Sequence, residues 1–384
     1  MRCSATSRFE AIVQYWFALY PASDAMFTEL LTDVADFELH ELEAALAQLG
    51  RPTFHARQIF QWIYRRGVSD FALMTDLPRD LRTELPRRFR IGVPQVVGRE
   101  RSADGTTKIL IELADGKRIE SVCIPDSPGD TFCLSTQVGC AMRCAFCLTG
   151  KMGIDRNLSA GEIVGQVLAL AGILGLFDRR FNIVLMGMGE PLHNYDATMK
   201  ALRILANDHG FGLSPRRVTL STVGVLPALE RLATESFMPN LAISLHSTTE
   251  AQRDLLVPIN RKYGIEELLD TCRRFPLKRR QRITFEYVML AGVNDTPEDA
   301  KRLARLLNGI QAKVNLLPLN EAAGIPFERP SDEAVNRFGE ILADRGVTVS
   351  VRKSRGRDIR AACGQLITES SRTPTPGKQL AMLM

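Results

Sequence analysis

The sequence predicts an α/β fold, a partial (βα)6 TIM-like barrel with an N-terminal helical accessory domain and a small β-meander. Strand-like apolar runs alternate with helical segments from about residue 126 onward, which is typical of a parallel sheet with crossover helices. Before them, Asp104-Gly105 and Asp115-Gly116 separate three strand-like runs, and Asp-Gly is a hairpin turn signal. The preceding segment places apolar side chains at helical spacing instead.

These elements divide the chain into five regions. In the second region, helices are predicted over residues 36–49, 52–66 and 78–90, and the first two end at Gly50 and Gly67. The regions are an N-terminal extension (1–30), a helical accessory domain (31–92), a β-meander linker (93–125), the barrel core with its C-terminal loop (126–366) and a flexible tail (367–384).

The barrel core is predicted from six strands with helices between them. The strands are expected over residues 131–136, 182–186, 218–222, 241–245, 283–290 and 314–317. The clearest helices are expected over residues 160–174, 196–207, 297–307 and 332–344. In such a barrel, functional side chains gather at the C-terminal ends of the strands.

Composition argues against several classes of protein. No apolar run approaches the roughly 20 residues that a membrane span needs, and residues 11–20 lack the cleavage pattern of a signal peptide. We therefore expect a cytoplasmic protein that makes no membrane contact. In that compartment the eight cysteines point to metal binding or catalysis rather than to a structural disulfide framework.

Positive charge is concentrated in three arginine-rich runs, although the net charge is only +5. Residues 51–101 hold eleven arginines and five acids, residues 273–282 hold six basic residues and no acid, and residues 352–360 hold five basic residues and one acid. Each run alone can be the solvated face of an ordinary helix. Three runs on one chain favour a partner with a phosphate backbone, such as RNA.

A three-cysteine motif, C-x-x-x-C-x-x-C, follows the first barrel strand at Cys140, Cys144 and Cys147. Three thiolates on one short loop can hold three irons of a 4Fe–4S cluster, which leaves the fourth iron free to bind a small molecule. The alternative is a structural zinc site with Cys133 as the fourth ligand. The spacing favours the cluster but does not exclude the zinc site.

Unusual polar motifs fall at the ends of four other predicted strands. They are Gly187–Pro191, Ser221–Gly224, Ser244–Ser247 and Leu317–Asn320. Glycines allow a ligand to approach the backbone, while carboxylate, hydroxyl and amide groups can fix an amine, a ribose or a carboxylate. Each motif alone is weak, but their shared placement predicts a ligand site at the barrel mouth.

Together these motifs resemble the radical S-adenosylmethionine (SAM) superfamily. Phe146 before the last cluster cysteine and Gly189-Glu190-Pro191 after the second strand match it. The resemblance implies a radical SAM barrel with one 4Fe–4S cluster, whose free iron holds S-adenosylmethionine and whose electron splits it into a 5′-deoxyadenosyl radical. The cofactor contacts that it implies are Gly189, Glu190, Ser221, Ser244, Leu245, His246 and Asn320.

A more specific resemblance is to the RlmN-type adenine carbon-2 RNA methyltransferases. It covers the chain from about Phe37 to about Leu366. The matching runs are Glu120–Pro125, Ser135–Cys140, Lys151–Leu158, Met186–Pro191 and Ala361–Gln365. The implied substrates are 23S ribosomal RNA at the peptidyl transferase centre and the adenosine 3′ of the tRNA anticodon. We also expect a monomer that takes electrons from a carrier such as flavodoxin or ferredoxin.

The resemblance also implies a mechanism with two S-adenosylmethionine molecules per turnover. Cys363 takes a methyl group from the first, and the radical made from the second removes a hydrogen from that methyl group. The resulting carbon radical adds to carbon 2 of the adenine. Cys133 then attacks the Cys363 sulfur and leaves a transient disulfide. Glu120 matches the family's proton acceptor, and the division of that role between Glu120 and Cys133 stays open.

Two rival interpretations remain at this point. One keeps the chemistry and moves the methyl group to carbon 8 of the adenine, as related enzymes that confer antibiotic resistance do. The other is a zinc-containing RNA-binding protein without catalysis, in which the three cysteines and Cys133 hold the metal. The identity of the methylated nucleoside distinguishes the first rival from carbon-2 methylation. Metal analysis distinguishes the second rival from an iron–sulfur enzyme.

Overall fold

A computed structural model describes residues 31–125 and 129–368 of the chain. The predicted N-terminal extension and all but the first two residues of the predicted tail lie outside these residues. Among the described residues, no helix has the length and apolar character required to cross a membrane.

The front of the chain forms the expected helices, packed against the barrel. Helix α1 (Leu39–Gln48) buries Leu42 and Leu46, and Glu38 and Glu41 form a capping box at its start. The three helices of this part are α1 (Leu39–Gln48), α2 (Phe54–Tyr64) and α3 (Arg79–Glu84). Arg203, from a barrel helix, donates to Glu38 at 2.8 Å. This contact joins the front helices to the barrel.

One ten-stranded sheet contains both the meander and the barrel strands. In spatial order it runs β14, β13, β12, β11, β10, β9, β6, β5, β4, β3. Within this sheet, β6 and the strands from β9 to β14 pair in parallel. The strands β3, β4, β5 and β6 pair antiparallel. The meander therefore extends the barrel sheet at one edge. The sheet strands are β3 (Gln95–Arg101), β4 (Thr107–Glu112), β5 (Arg118–Ile124), β6 (Thr131–Cys133), β9 (Asn182–Leu185), β10 (Val218–Thr222), β11 (Asn240–Ser244), β12 (Ile283–Met289), β13 (Ala312–Pro318) and β14 (Thr348–Val351).

The six expected barrel strands are present, with two differences. The first ends at Cys133 rather than at residue 136, because the Ser135 backbone N–H bonds to the Gln166 side chain instead of to a strand. The chain then enters a separate hairpin of β7 (Gln137–Gly139) and β8 (Ile154–Asn157). The second difference is a seventh parallel strand, β14, which is mostly exposed, alternates polar and apolar residues and so lacks the apolar run of a buried strand.

Eight helices surround the barrel in the described residues. Helix α5 begins with a Ser159–Glu162 capping box and is buried on nearly all sides as far as Ala171, because it lies between the sheet and the front of the chain. The helices are α4 (Leu148–Met152), α5 (Ala160–Leu174), α6 (Tyr195–Ala206), α7 (Leu226–Leu232), α8 (Glu250–Leu256), α9 (Ile265–Arg274), α10 (Pro297–Leu306) and α11 (Asp332–Ala343). Two short strands, β1 (Thr32–Asp33) and β2 (Phe89–Arg90), pair with each other outside the main sheet.

Candidate active site at the barrel mouth

A pocket opens at the C-terminal ends of the parallel strands, as the barrel pattern predicts. The three motif cysteines contribute to its wall, together with the loops after β9, β10, β11 and β13. Its polar and sulfur-bearing lining includes Cys140, Cys144, Cys147, Glu190, Ser221, Ser244, His246, Glu286, Asn320, Arg352 and Cys363. Side chains from distant parts of the sequence therefore meet in one place.

The cysteine loop is fixed by backbone contacts on both sides. Strand β7 ends at Gly139, whose φ of +76° and close approach exclude a side chain, since a Cβ there would lie 1.9 Å from the Gly153 oxygen. The Cys140 N–H donates to the same oxygen at 2.9 Å, and the Ala145 N–H donates to the Leu256 oxygen at 3.0 Å. The loop is thus held before any metal binds.

The three cysteines are not arranged as the ligands of a single metal ion in the part of the chain that the structure describes. In residues 31–125 and 129–368, no three His, Cys, Asp or Glu side chains converge as ligands of one ion would. A cubane cluster spreads its thiolates over different irons. Burial raises the pKa of the Cys140 thiol to about 12, so metal binding must displace its proton. Cys133, the fourth ligand of the zinc alternative, lies outside this pocket.

Glu190 links two of the strand-end loops. Its Oε1 accepts from the Leu192 N–H and its Oε2 from the Val223 N–H, both at 3.0 Å. Burial raises the pKa of this carboxyl to about 7. Gly189 beside it has a φ of +106°, and a Cβ there would lie 2.7 Å from the Gln137 backbone nitrogen. A larger residue at 189 would therefore displace the loop that presents Glu190.

His246 is held as a neutral imidazole at the end of β11. Its Nδ1 accepts from the Val288 N–H at 3.0 Å, so the ring proton lies on Nε2. Burial lowers the pKa of His246 to about 3, and its ring meets the Phe146 ring edge-on with centroids 4.8 Å apart. His246 can therefore donate one hydrogen bond without carrying charge.

Six of the seven expected cofactor contacts line this pocket, and Leu245 does not. Side chains alternate along an extended chain, and Leu245 is fully buried in the main core between Ser244 and His246. Its backbone oxygen accepts from the Arg253 side chain at 3.0 Å. Ser221 and Ser244 place their hydroxyl oxygens 3.4 Å apart at the pocket wall.

The loop that carries Cys363 closes over the cysteine motif. The Leu148 N–H donates to the Gly364 oxygen at 2.8 Å, and the Thr149 hydroxyl donates to the Leu366 oxygen at 2.6 Å. Asn320 makes a long contact of 3.4 Å to the Cys363 oxygen. These bonds tie the Cys363 loop directly to helix α4, which follows the last cysteine of the motif.

Cys133 and Cys363 share a second, smaller cavity behind the first. Arg352 and Met186 line both cavities, and Cys363 lies at their junction. Both thiols are free, Cys133 being buried and Cys363 half-buried. The structure therefore brings the two expected functional thiols to one place, although 230 positions separate them in the sequence.

Glu120 lies on β5 under the same loop. One carboxylate oxygen pairs with the Lys108 ammonium at 2.9 Å, and the other accepts from the Ile367 N–H at 2.9 Å. The side chains of Glu120 and Lys108 are only 6% and 8% exposed. Burial raises the pKa of the Glu120 carboxyl, and the Lys108 charge opposes that rise.

Four further charged residues of the site were not expected from the sequence. Glu286 and Arg352 line the main pocket, Lys108 pairs with Glu120, and Arg253 lies fully buried behind Cys144. Arg352 belongs to an arginine-rich run, which on composition alone looks like an exposed RNA-binding surface. No local motif distinguishes the other three from surface charges.

Comparisons with known proteins agree with this geometry. Residues 134–307 match the family model "Radical SAM superfamily", and residues 32–91 match "Ribosomal RNA large subunit methyltransferase N-terminal domain". A Geobacter sulfurreducens protein described as a dual-specificity RNA methyltransferase RlmN is 50% identical over 88% of this chain and 92% of its own length. An Anaeromyxobacter dehalogenans protein of the same description is 49% identical, over 88% and 92%.

A solved structure gives the same result for the fold. The crystal structure of a radical SAM methyltransferase from Sphaerobacter thermophilus superposes with a TM-score of 0.84 at 48% identity, over 87% of this chain and 99% of that chain. The radical SAM barrel expected from the cysteine and Gly-Glu-Pro motifs is therefore confirmed. The chain belongs to the RlmN family of radical SAM RNA methyltransferases.

Proposed function

We propose that this enzyme methylates carbon 2 of adenine in 23S ribosomal RNA, at the peptidyl transferase centre, and in tRNA, at the adenosine 3′ of the anticodon. The reaction passes through a methylated Cys363 and consumes two S-adenosylmethionine molecules per turnover. One observation carries the proposal: Cys363 lies at the junction of a cysteine-lined pocket and a second cavity that holds Cys133. Relatives described as dual-specificity RNA methyltransferases support activity on two kinds of RNA, and the match to a ribosomal RNA large subunit methyltransferase domain supports the ribosomal one.

The cofactor site is assigned to the main pocket. Cys140, Cys144 and Cys147 would hold a 4Fe–4S cluster, which supplies the electron that splits S-adenosylmethionine. Around it, Glu190 can accept from the cofactor's amine with its remaining lone pairs, and the His246 Nε2–H can donate. The closed Cys363 loop excludes water from the reacting groups. Gly189, Ser221, Ser244 and Asn320 complete the contacts.

Two thiols are required because one carries the carbon and the other releases it. Carbon 2 of adenine is not nucleophilic, so it cannot take a methyl group directly from S-adenosylmethionine. A carbon radical formed on the methyl group carried by Cys363 adds to it instead. Cys133 resolves the adduct by attacking the Cys363 sulfur, which forms a disulfide and frees the RNA. Burial raises the pKa of Cys133 to about 12, and Arg352 opposes that rise. Arg352 therefore favours the thiolate that attacks.

Glu120 receives the proton that carbon 2 loses. Its carboxylate bonds to the backbone N–H of Ile367, four residues beyond Cys363, so the acceptor is tied to the loop that carries the adduct. Lys108 favours the ionised form of Glu120 in a buried setting. A carboxylate that is ionised at neutral pH can accept a proton, whereas a protonated one cannot.

RNA contacts are assigned to exposed basic residues of the run 352–360 and of the front domain. The run 352–360 directly follows β14, at the barrel mouth, and it is largely exposed. Arg79, Arg87 and Arg88 of the front domain are exposed as well. By contrast, the run 273–282 immediately precedes β12. It therefore lies at the opposite end of the barrel and is the weakest of the three candidates.

Nucleoside analysis tests the proposed reaction. The chain, loaded with its cluster and supplied with reductant and S-adenosylmethionine, is incubated with unmodified 23S RNA fragments or tRNA, and the digested nucleosides are identified by mass spectrometry. We expect 2-methyladenosine from both RNAs. Formation of 8-methyladenosine would establish the rival carbon-8 activity. A tRNA that stays unmodified would exclude tRNA as a substrate.

Cysteine variants test the two thiol roles. Cys363→Ala should abolish methyl transfer while its iron and sulfide content stays normal. Cys133→Ala should accumulate protein covalently attached to RNA, visible as a slow band on a denaturing gel. Cys123→Ala is the matched control, since Cys123 is a buried thiol on the neighbouring strand that lines neither cavity. Free methylated RNA with normal turnover from Cys133→Ala would refute its resolving role.

A further inference from the structure

Arg253 on α8 is a buried cation whose hydrogen bonds all go to neutral groups. It is the largest fully buried side chain among the described residues and is 0% exposed. Its Nε donates to the Leu245 oxygen at 3.0 Å, Nη1 donates to Asn260 Oδ1 at 2.8 Å, and Nη2 donates to the Val223 and Ser244 oxygens at 2.7 and 3.3 Å. Within residues 31–125 and 129–368, no carboxylate forms a direct ion pair with it.

The closest carboxylates reach Arg253 only through an amide. Asn260 Nδ2 donates to Glu250 Oε2 and to Asp254 Oδ1, both at 2.7 Å, while its oxygen accepts from Arg253. Those two acids orient the amide, but Glu250 is exposed and Asp254 is partly exposed, so water screens both charges. Removing an ion from water costs several kcal/mol. An arginine so fully buried therefore calls for a negative charge inside the protein.

The cysteine loop supplies that charge when its metal is bound. Helix α8 packs on this loop, because the Leu256 oxygen accepts from the Ala145 N–H at 3.0 Å and the Val257 N–H bonds back to the Arg253 oxygen at 2.7 Å. Arg253 and the Cys144 thiol are close enough for each to change the electrostatics of the other. Val223 and Ser244, whose oxygens accept from Arg253, line the same pocket as Cys144.

We propose that Arg253 is a positioning residue that stabilises the reduced, more negative state of the 4Fe–4S cluster. This inference rests on the proposed function, since it requires that cluster. One electron from an external donor adds one negative charge to a buried site, and a fixed positive charge nearby favours that state. The neutral hydrogen-bond partners hold the guanidinium in place without cancelling its charge.

The midpoint potential of the cluster tests the inference independently of catalysis. The full chain, reconstituted anaerobically, is titrated with dithionite and followed by electron paramagnetic resonance, first without S-adenosylmethionine or RNA. The variants are Arg253→Gln, which removes the charge, and Arg253→Lys, which keeps it but loses the forked hydrogen bonds. Arg261→Gln is the matched control, because Arg261 is an exposed cation eight residues further along the same segment.

We expect Arg253→Gln to lower the reduced-to-oxidised ratio at least tenfold at a fixed potential, which corresponds to a midpoint about 59 mV lower. Arg253→Lys should keep most of the parent potential even though both variants lose apoprotein thermal stability, and Arg261→Gln should match the parent. Loss of the cluster in Arg253→Gln but not in Arg253→Lys also supports the charge role.

Other results overturn the inference. An Arg253→Gln potential equal to that of the parent would do so, as would equal shifts or equal cluster loss in both Arg253 variants. An effect that appears only after S-adenosylmethionine is added would assign the charge to the cofactor's carboxylate instead of the cluster. If the parent protein bound no iron and sulfide, the proposed function itself would fail. The iron and sulfide content of the parent sample therefore tests the proposed function separately from the role of Arg253.

Discussion

The buried Lys108–Glu120 ion pair gives a quantitative prediction. Substituting Lys108 with Met removes the ammonium group that contacts Glu120 at 2.9 Å and leaves a carboxylate that is only 6% exposed. Breaking a buried pair by removing one partner typically costs about 3–5 kcal/mol, because the remaining charge is uncompensated. Glu100 also loses its contact with Lys108, but its side chain is 55% exposed and its contribution is small.

The sign of the pH dependence follows from Glu120. Burial already raises the pKa of this carboxyl in the folded state, and losing Lys108 removes the charge that opposes the rise. The folded state then binds the proton more tightly than the unfolded state does. The free energy of unfolding therefore falls as pH rises from the pKa of Glu120 in the unfolded state through its pKa in the folded state. The Lys108→Met cost should therefore be larger at pH 8 than at pH 5.

Urea denaturation of the apoprotein at both pH values measures this cost. The double variant Lys108→Met/Glu120→Gln should recover most of the lost free energy of unfolding at pH 8, because a neutral pair replaces an unpaired charge. A cost that is the same at pH 5 and pH 8, or a double variant no more stable than Lys108→Met, would refute the assignment of an ionised, Lys-paired Glu120.

Three further predictions concern the site and its support. Because burial raises the pKa of Glu190 to about 7, apoprotein stability should fall as pH rises through 7, and Glu190→Gln should flatten that fall in urea melts at pH 5, 6, 7 and 8. Gly189→Ala should lose S-adenosylmethionine binding by calorimetry because its Cβ would strike Gln137, whereas Gly172→Ala, with 3.9 Å to its nearest neighbour, should bind normally. Ser159→Ala removes the N-cap of α5 and should cost about 1 kcal/mol in urea denaturation; no change would contradict the capping role.

Much of the fold could be predicted because hydrophobic periodicity decides which elements form. The six buried barrel strands carry apolar runs that only a sheet covered on both faces accommodates. Strand β14 could not be predicted in this way, since Thr348–Val351 is short, mostly exposed and held by pairing with β13. The early end of β6 was not predictable either, because the Ser135 backbone N–H bonds to the Gln166 side chain and not to a neighbouring strand.

The site was predictable only where its chemistry is local in sequence. The cysteine motif and the glycine-rich loops place their groups within a few residues of one another, so spacing alone reveals them. Lys108 and Arg253 become meaningful only through distant partners, Glu120 and the cysteine loop, which no periodic pattern connects. Leu245 shows the opposite error. The motif predicts that Ser244, Leu245 and His246 all face the ligand, but side chains alternate along the extended chain and the Leu245 side chain points into the core.

Metal and sulfide analysis of the anaerobically reconstituted chain tests the central claim most directly. The proposed function predicts iron and acid-labile sulfide in equal amounts in the parent, in Cys133→Ala and in Cys363→Ala, with both lost in Cys144→Ala. It also predicts that S-adenosylmethionine alters the resonance spectrum of the reduced cluster, because one iron lacks a protein ligand. Zinc without sulfide, or a cluster lost in Cys133→Ala, would contradict a three-cysteine site with an open iron.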